Sequence, residues 1–339
     1  GFDPIATALL SLSAGQQAGA LDQLTPTIFG QTAANTVYAG QSFFDNLLSC
    51  KVNGGDGAAI IREGQCVWAR GRTRFLDVDA SSQNPGLKER TDSFSAGAQV
   101  AVAPAWRVGF ALGYDHSSIQ ANPNARSDGD RFNLGGVVKY NSGSLLLAAA
   151  VAGGKGSFDT TRTMSFGGFS ANAKSNSDVD YLAGRLHASY LMDFGSWYLK
   201  PLVDGGPTRI YRGGFTESGG GGAGLIVQSA TDTVWSISPG VEVGSQLKFG
   251  GDYTWRPFVR AGATLIKPAD MAVTANFSSA PSGISPFTVN TKFDHVLADA
   301  GAGVDVINSA GVGLRVQYEG RFGEDTRQHS FSLKGSIPF

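Results

Sequence analysis

The sequence predicts an all-β transmembrane fold: an antiparallel outer-membrane β-barrel of about twelve strands, with an N-terminal α-helix in its lumen. Three observations lead to this prediction. Apolar residues alternate with small or polar ones through most of the chain, short turns alternate with longer links, and the first 48 residues show a helical period instead. The chain has 339 residues, of which 47 are Gly and 16% are charged, and its mean hydropathy is -0.07. No run of ~18 apolar residues is present, which excludes a transmembrane helix.

The segment 106–115 shows the alternation clearly. Trp106, Phe110 and Tyr114 fall on one face of an extended strand, whereas Arg107 and Asp115 fall on the other. The same pattern recurs at 132–140, 235–249 and 312–319. A soluble sandwich would bury the apolar face against a second sheet, whereas a membrane barrel shows that face to lipid. The second face carries charges, Gly and Ala, as the lumen of a membrane barrel does. Lipid outside and a polar lumen inside are therefore predicted.

The connections between the strands support the same fold. Five short turns, near 103–105, 141–143, 194–196, 250–252 and 308–310, alternate with longer polar links at 80–90, 117–129, 158–178, 213–232, 268–287 and 323–328. Tight periplasmic turns and longer extracellular loops are typical of outer-membrane barrels. An even number of strands closes an antiparallel barrel and leaves no edge exposed to lipid. The strands are predicted at 66–78, 90–103, 106–120, 129–142, 144–158, 176–194, 196–214, 232–249, 252–267, 288–306, 310–322 and 328–339; the sequence does not orient the fifth.

Residues 1–48 contain no Lys or Arg and show a different pattern. A short helix is expected near residues 5–12, interrupted by Gly15 and Gly19. Thr25 and Pro26 then form a start signal for a helix over 26–48. Such a helix is ~34 Å long, which matches a bilayer core, but it is too polar to face lipid and is predicted inside the lumen. The chain is thus divided into a junction segment (1–25), a pore-spanning helix (26–48), a disulfide-closed connection (49–65) and the barrel (66–339).

Cys50 and Cys66 are the two cysteines of the chain. A close pair in an exported protein predicts a disulfide rather than a metal site. A loop of this length would contribute ~3 kcal/mol to stability in the chain-entropy model. Two unpaired cysteines are the alternative.

The predicted inward faces are mainly basic, whereas the first 49 residues carry only the acids Asp3, Asp22 and Asp45. Opposite charges in a narrow channel are little screened, so the basic face is expected to contact the helix and hold it. The alternative is that these residues pair within the barrel wall. The basic set comprises Arg70, Arg72, Arg74, Arg107, Lys139, Arg185, Arg256, Arg260 and Arg315.

Several other functions are not supported by the sequence. The net charge of -1, the pI of about 6.5 and the absence of a basic run give no sign of nucleic-acid binding. The four His show no metal-ligand spacing, and no G-x-S-x-G motif is present. Gly219–Gly222 lacks the context of a phosphate loop, and His116, next to Asp115, is expected at a polar loop edge. No catalytic residue, metal or cofactor is therefore predicted. No signal peptide is visible, which leaves open a removed signal or a longer precursor.

The last strand has a distinctive end. Phe331, Leu333, Ile337 and the terminal Phe339 share one face of it, and Ser and Lys residues share the other. A terminal aromatic residue on such a strand resembles the sorting signal that the outer-membrane barrel assembly machinery reads. An amphipathic strand that merely ends in Phe is the alternative.

Four segments are distinctive when taken in order: residues 5–10 and 20–25 with the helix end at 43–47, Val67-Trp68-Ala69-Arg70-Gly71, Gly213-Gly214-Phe215-Thr216-Glu217, and the strand that ends in Phe339. Over all 339 residues their order and spacing resemble the autotransporter β-domain family of type V secretion. The resemblance implies a twelve-stranded barrel whose lumen helix connects an external passenger to the first strand at the periplasmic side.

The resemblance also implies a function and partners. The barrel would lie in the bacterial outer membrane and mediate export of a covalently linked N-terminal passenger, with help from the assembly machinery and without a cofactor. The other expected partners are membrane lipid and lipopolysaccharide; no nucleic acid is expected, and the barrel is expected to be a monomer. Some members cleave themselves by Asn cyclisation in the helix, but Asn35 and Asn46 lack the Asn-Asn pair, so cleavage is not expected. A stand-alone adhesin or structural barrel and a passive pore are the alternatives.

Overall fold

A computed structural model of the chain describes residues 3–48, 50–53, 61–81, 85–121, 124–249 and 253–339. Over these residues, twelve strands form one closed antiparallel barrel, which confirms the predicted fold class. The strands are β1 (Cys66–Val78), β2 (Leu87–Ala103), β3 (Trp106–Ala121), β4 (Ala125–Ser142), β5 (Leu145–Phe166), β6 (Phe169–Tyr190), β7 (Trp197–Arg212), β8 (Ala230–Ser245), β9 (Tyr253–Lys267), β10 (Val296–Asn308), β11 (Gly313–Phe322) and β12 (Thr326–Pro338).

Each strand pairs with its neighbours in sequence, and β12 pairs with β1 to close the barrel. The short strands Met192–Asp193 and Leu247–Phe249 follow β6 and β8 and continue their pairing with β7 and β9. Lys51–Asn53 pairs separately with Ile61–Glu63. The predicted turn at 250–252, and residues 49 and 54–60 of the predicted connection, lie outside the described residues.

Side chains alternate across the barrel wall as the sequence predicts. On β3, Phe110 and Leu112 are exposed to the lipid side, whereas Ala111 and Asp115 are buried on the lumen side. On β5, which the sequence does not orient, Ala148 faces inward and its neighbours Leu147 and Ala149 face outward. The apolar outward band and the small or polar inward face follow directly from the two-residue period of a strand.

The two ends of the barrel differ. The loop end carries the connections 79–86, 213–229 and 268–295, and the turn end carries the short connections 104–105, 143–144 and 309–312. At the loop end, β5 and β6 are each 22 residues long. Such a strand is about 73 Å long at the usual rise, and about 10 residues suffice to cross the membrane. The β5–β6 hairpin therefore projects beyond the lipid.

The predicted links at 158–178 and 117–129 are wrong, since strands run through most of both. In the first, Phe158 and Met164 face inward and are buried, while Asp159 and Thr163 face outward. Outside the membrane the outward face meets water, so it lacks the apolar residues by which a membrane strand is recognised. The alternation is present there, but both faces contain polar residues.

A second sheet lies at the loop end. Phe215–Thr216, Leu225–Val227, Asp270–Phe277 and Phe287–Lys292 form a four-stranded antiparallel sheet, here called the loop sheet. The tenth strand predicted at 288–306 is therefore wrong: its first residues belong to the loop sheet, and the barrel strand starts at Val296. Between the two, the Asp294 carboxylate accepts hydrogen bonds from the backbone N–H groups of Asp325 and Thr326 (3.1 and 2.8 Å), which fixes this corner.

Three helices precede the barrel: α1 (Asp3–Leu10), α2 (Ala14–Leu24) and α3 (Thr27–Leu47). The helix predicted at 26–48 corresponds to α3. The expectation that Gly15 and Gly19 interrupt the helix is wrong, because both lie within α2. Gln16 accepts a hydrogen bond from the Ser13 backbone N–H (3.2 Å) at its start, which offsets part of the cost of ~1 kcal/mol for each helical Gly.

None of the helices in the described ranges is both long and apolar enough to cross a membrane.

Candidate functional site: the helix-filled lumen

Helix α3 fills the barrel lumen. Its 21 residues span about 31 Å, from the loop end to the turn end, and all of them are buried except the half-buried Ser42 and Asp45. A helix that is buried on every side is normally apolar all round, whereas α3 contains many polar residues. The lumen wall supplies the partners for those polar groups.

The first half of α3 packs largely on apolar residues. Ile28, Phe29 and Val37 are buried in a cluster that includes inward residues of the barrel and the loop sheet. The Phe29 ring packs edge-on against Phe215, with 4.7 Å between ring centroids. The loop sheet also approaches the helix backbone closely: a Cβ placed at Gly30 would lie 2.3 Å from the Thr291 Oγ1. Glycine at position 30 thus permits the contact between helix and loop sheet.

The second half of α3 has two different sides. On the side of β3 to β6, Phe43 and Leu47 pack on small wall residues. A Cβ at Gly113 or at Gly135 would lie 2.9 Å from the Phe43 ring, so these glycines leave room for the helix. Glycine on the inward face is therefore a packing requirement at these two places.

On the other side, the helix meets charged groups. Asp45 lies 3.3 Å from Arg185 and 3.6 Å from Arg72. Arg72 also pairs with Glu319 (2.8 Å) and donates to the backbone carbonyl of Ser42 (3.3 Å). The Arg185 guanidinium stacks 5.1 Å from the centre of the Phe44 ring, a cation–π contact.

Two polar cavities adjoin Asp45 on this charged side. One of about 120 Å³ is lined by Asp45, Leu48 and Arg70 among others, and one of about 50 Å³ is lined by Ser42, Asp45 and Arg72 among others. Cavities of this size with polar walls can hold water. The charged side of α3 is therefore less tightly packed than the apolar side.

The predicted basic residues separate into two groups. Arg70, Arg72 and Arg185 contact α3, and Arg70 does so by donating to the Asn46 Oδ1 (3.2 Å). The others have partners in the wall or the connection: Arg74 with Glu89 (2.5 Å), Lys139 with Glu63 (2.8 Å), Arg260 with Asp204 (3.8 Å) and Arg315 with Asp305 (2.6 Å), while Arg256 is buried on β9. Some inward basic residues therefore lie against α3, and others lie against acids of the wall or the connection.

Arg107 differs from the expectation of a helix contact. It lies next to the turn before β3, and its guanidinium donates to the backbone carbonyls of Ala103 (3.0 Å) and Pro104 (3.1 Å). The reason is its position at the rim of the barrel. Phe43 reaches the wall further along β3, at Gly113.

Three arginines outside the predicted set contact the N-terminal segment. Arg131 donates to the Thr36 Oγ1 (2.6 Å), Arg321 to the Gln41 Oε1 (2.6 Å), and Arg162 to the backbone carbonyl of Gln23 (2.9 Å). The two-residue alternation of inward and outward side chains could have identified Arg131 and Arg321 as facing the lumen. Arg131 has the parity of Lys139 on β4, and Arg321 that of Arg315 on β11. Arg162 lies in a segment predicted as a link.

The connection from α3 to the barrel is closed by a disulfide between Cys50 and Cys66, as the sequence predicts. Near it, the buried Glu63 side chain accepts hydrogen bonds from Lys139 (2.8 Å) and Gln99 (3.2 Å). These contacts attach the connection to β4 and β2. The helix end is thus fixed covalently to β1 and by hydrogen bonds to two further strands.

The remaining candidates from the sequence lie elsewhere. The Nδ1 of His116 lies 2.8 Å from the Asp130 Oδ1 on the exposed outer wall. Among the described residues no group of three or more His, Cys, Asp or Glu is arranged to hold a metal ion. Phe331, Leu333 and Ile337 of β12 and the following Phe339 are all more than half exposed, so the terminal apolar residues form an outward row.

Comparison with known proteins gives a consistent result. A family model described as the autotransporter beta-domain matches residues 67–319, more than half of the chain. The translocator domain of autotransporter NalP from Neisseria meningitidis has a TM-score of 0.72 at 14% identity, over 93% of this chain and 100% of that one. The transport unit of AIDA-I from Escherichia coli has a TM-score of 0.62 at 12% identity, over 82% and 92%.

The beta domain of the Bordetella autotransporter BrkA has a TM-score of 0.58 at 16% identity, over 81% of this chain and 100% of that one. Identities this low show a shared fold. A search of curated proteins by sequence gave no match. The family model matches over most of the barrel, and the helix-filled architecture is shared with solved translocator domains. The chain belongs to the autotransporter β-domain family, whose barrels lie in the bacterial outer membrane and mediate export of a linked N-terminal passenger.

Proposed function

We propose that the described conformation is the closed state of the translocator, reached after a passenger has left through the barrel. The observation that carries this proposal is the path of α3, which runs through the lumen from the loop end to the turn end and is buried over its whole length. In this state α3 both connects the passenger to β1 and closes the pore. The basic residues Arg70, Arg72 and Arg185 hold its second half through Asn46, Ser42 and Asp45.

The direction of the path supports this assignment. Helices α1 and α2 lie at the loop end, where Ile5 and Leu24 pack in a cluster with residues of the β5–β6 hairpin. The disulfide lies at the turn end. A passenger joined to α1 would therefore stand outside the cell if the loop end faces outward, as in outer-membrane barrels.

A reporter fusion tests the export function. A signal peptide and a small epitope-tagged domain are placed before Gly1, and intact cells are treated with a protease. We expect cleavage of the reporter at the cell surface while the barrel stays intact. A reporter that stays protected in intact cells, and becomes sensitive only after the outer membrane is opened, would contradict export by this barrel. Trypsin is suitable, because residues 1–50 contain no Lys or Arg, so a cut that releases the reporter cannot fall within the segment from Gly1 to Cys50.

Conductance tests closure by α3. Removing residues 27–47 from the purified chain should raise single-channel conductance in planar bilayers severalfold, because a helix of about 10 Å diameter leaves the lumen. Removing only residues 3–24 is the matched control and should change conductance much less. Equal conductance of the chain with and without α3 would rule out its role as a plug.

We further propose that the last strand is read by the barrel assembly machinery, and that lipid and lipopolysaccharide surround the outward apolar wall of a monomeric barrel. The outward row that ends in Phe339 supports the first point. Replacing Phe339→Ser should lower the amount of assembled barrel. Phe94 is a similarly exposed aromatic residue on β2, and Phe94→Ser should have a smaller effect.

No catalytic step and no cofactor are assigned to the site, since closure and connection require only packing and charge.

A further inference from the structure

A buried ion pair lies above the barrel mouth, on the outer part of the β5–β6 hairpin. Arg162 on β5 donates two hydrogen bonds to Glu217 of the 213–229 connection, from Nε to Oε1 and from Nη2 to Oε2, both of 2.7 Å. The two side chains are 3% and 0% exposed. A bidentate pair of this kind fixes the orientation of the guanidinium as well as its charge. Glu217 is itself held by the Leu225 backbone N–H (2.8 Å).

The remaining donor of this guanidinium points at the N-terminal segment. Nη1 of Arg162 donates to the backbone carbonyls of Gln23 (2.9 Å) and Thr25 (3.3 Å). Helix α2 ends at Leu24 and α3 begins at Thr27, so the contact falls where the chain passes from the outside into the lumen. Carbonyls at a helix C-terminus lack helical partners and carry partial negative charge, which favours a cation there.

A second contact supports the first. The Gln23 side chain accepts a hydrogen bond from the Ser165 backbone N–H (2.7 Å), three residues along β5 from Arg162. Apolar side chains of α1 and α2 also pack on Met164 and Phe166 of the hairpin. The hairpin therefore holds the end of α2 by its backbone and by one side chain.

We propose that Arg162 and Glu217 form an exit latch: a site that binds the backbone carbonyls of residues 23–25 and fixes α1 and α2 over the mouth of the barrel. The inference rests on the proposed function, because it concerns the same closed state. Arg162 acts as a positioning residue that sets where the outgoing chain leaves the lumen. The ligand is polypeptide backbone at a helix end, and Glu217 orients the donor.

Arg212 offers a matched control. It also lies at the loop end and is buried, it pairs with Asp232 (2.8 Å), and it donates to a backbone carbonyl, that of Ala272 (2.5 Å). These contacts lie within the barrel and the loop sheet. Replacing it removes a comparable buried guanidinium without touching residues 3–25.

Hydrogen–deuterium exchange of the full chain in lipid vesicles tests the latch. We expect Arg162→Met to speed amide exchange of residues 14–25 about tenfold or more, the factor that loss of one charge-assisted hydrogen bond gives, while Arg212→Met leaves that segment near wild type. The exchanged pair Arg162→Glu/Glu217→Arg restores opposite charges but moves the guanidinium away from the carbonyls. We expect residues 14–25 to stay fast in it.

Three outcomes would overturn the latch. The first is unchanged exchange of residues 14–25 in Arg162→Met. The second is full protection in the exchanged pair, which would mean that the ion pair alone matters. The third is equal loss of protection in residues 27–47, which would make Arg162 a general support of the plug. The proposed function fails separately, when the unaltered chain does not export its reporter or its conductance does not depend on α3.

Discussion

Over residues 27–38 the lumen helix packs mainly on apolar side chains of the barrel and the loop sheet, with one arginine contact from Arg131 to Thr36, whereas over 39–47 it lies between an apolar wall and a charged one. The first region includes Phe29 and Val37 in a buried apolar cluster. The second has Asp45 between Arg72 and Arg185, beside polar cavities. Within one helix, closure toward the loop end depends on packing, and closure toward the turn end depends partly on charge.

This difference bears on the proposed closed state, in which α3 fills the lumen after the passenger has left. Apolar contacts with the loop sheet can form only after that sheet has folded over the helix, and salt does not weaken them. Ion pairs with the barrel wall are available as soon as the helix enters the lumen. Substitutions can perturb the two halves of α3 one at a time, and the expected effects are given from the largest to the smallest.

A charge in the apolar half should have the largest effect. Val37 is 1% exposed, and Val37→Asp would bury a carboxylate without a partner, at a cost of about 3 kcal/mol or more. We expect loss of the closed state, measured as a permanently raised conductance. Leu21→Asp on the exposed face of α2 is the control and should behave as wild type. A closed Val37→Asp channel would show that this half is hydrated.

Removal of the disulfide should come next. Cys50→Ser/Cys66→Ser frees the helix end at the turn end, and a closed loop with a sequence separation of 16 contributes about 3 kcal/mol through the unfolded chain. We expect a lower midpoint of urea unfolding in micelles, with the folded barrel still formed. The same shift after chemical reduction of the unaltered chain is the matched comparison. An unchanged midpoint in both would mean that Glu63 and its partners already fix the connection.

Filling the space opposite Phe43 should have a smaller effect. Gly135→Leu places a side chain against Phe43 and Leu47, and overpacking of this kind costs about 2 kcal/mol. We expect frequent brief openings in single-channel recordings. Gly71→Leu is the control, since nothing lies within 4 Å of a Cβ at that outward position. Equal recordings from the two variants would argue against tight packing of the helix on β4.

Neutralising Asp45 should have the smallest effect and the clearest salt dependence. Asp45→Asn removes the attraction to Arg72 and Arg185, about 1 kcal/mol for a partly exposed group, and should raise the open fraction about fivefold at low salt. In 1 M salt the unaltered chain should approach the variant, because the Debye length falls to about 3 Å. Asp22→Asn on α2 serves as the control. A salt effect that persists in Asp45→Asn would assign it to other groups.

The sequence predicts the barrel well, because lipid forces a strict two-residue alternation on each membrane strand. The predicted strand 66–78 has the same ends as β1, and the predicted helix 26–48 differs from α3 by one residue at each end. Outside the lipid that constraint ends. The outer part of β5, with Asp159 and Thr163 facing water, is therefore predicted as a link although it is a strand. The loop sheet is missed because its strands are only two to eight residues long. Two of them, Leu225–Val227 and Asp270–Phe277, also pair across a long stretch of sequence.

The lumen contacts are predicted less completely than the fold. Parity identifies which residues face inward, and it correctly directs Arg72 and Arg185 to the lumen. The alternation does not give the position of a residue along the barrel axis relative to the helix. The predicted set of helix contacts therefore includes Arg107, which lies at the rim, and omits Arg131, which lies beside Thr36. Which inward arginine meets the helix, and which meets a neighbouring acid, depends on the stagger of the strands and on side-chain reach.

The length of the β5–β6 hairpin has a consequence for anything attached to the N-terminus. At the usual strand tilt of about 40°, 22 residues rise about 55 Å, roughly twice the apolar band of about 25 Å. Because α1 and α2 rest on the outer part of this hairpin, helix α1 stands tens of ångströms above the lipid headgroups. The hairpin therefore holds the N-terminal helices away from the membrane. A domain joined to them would be displayed at a distance from the cell surface.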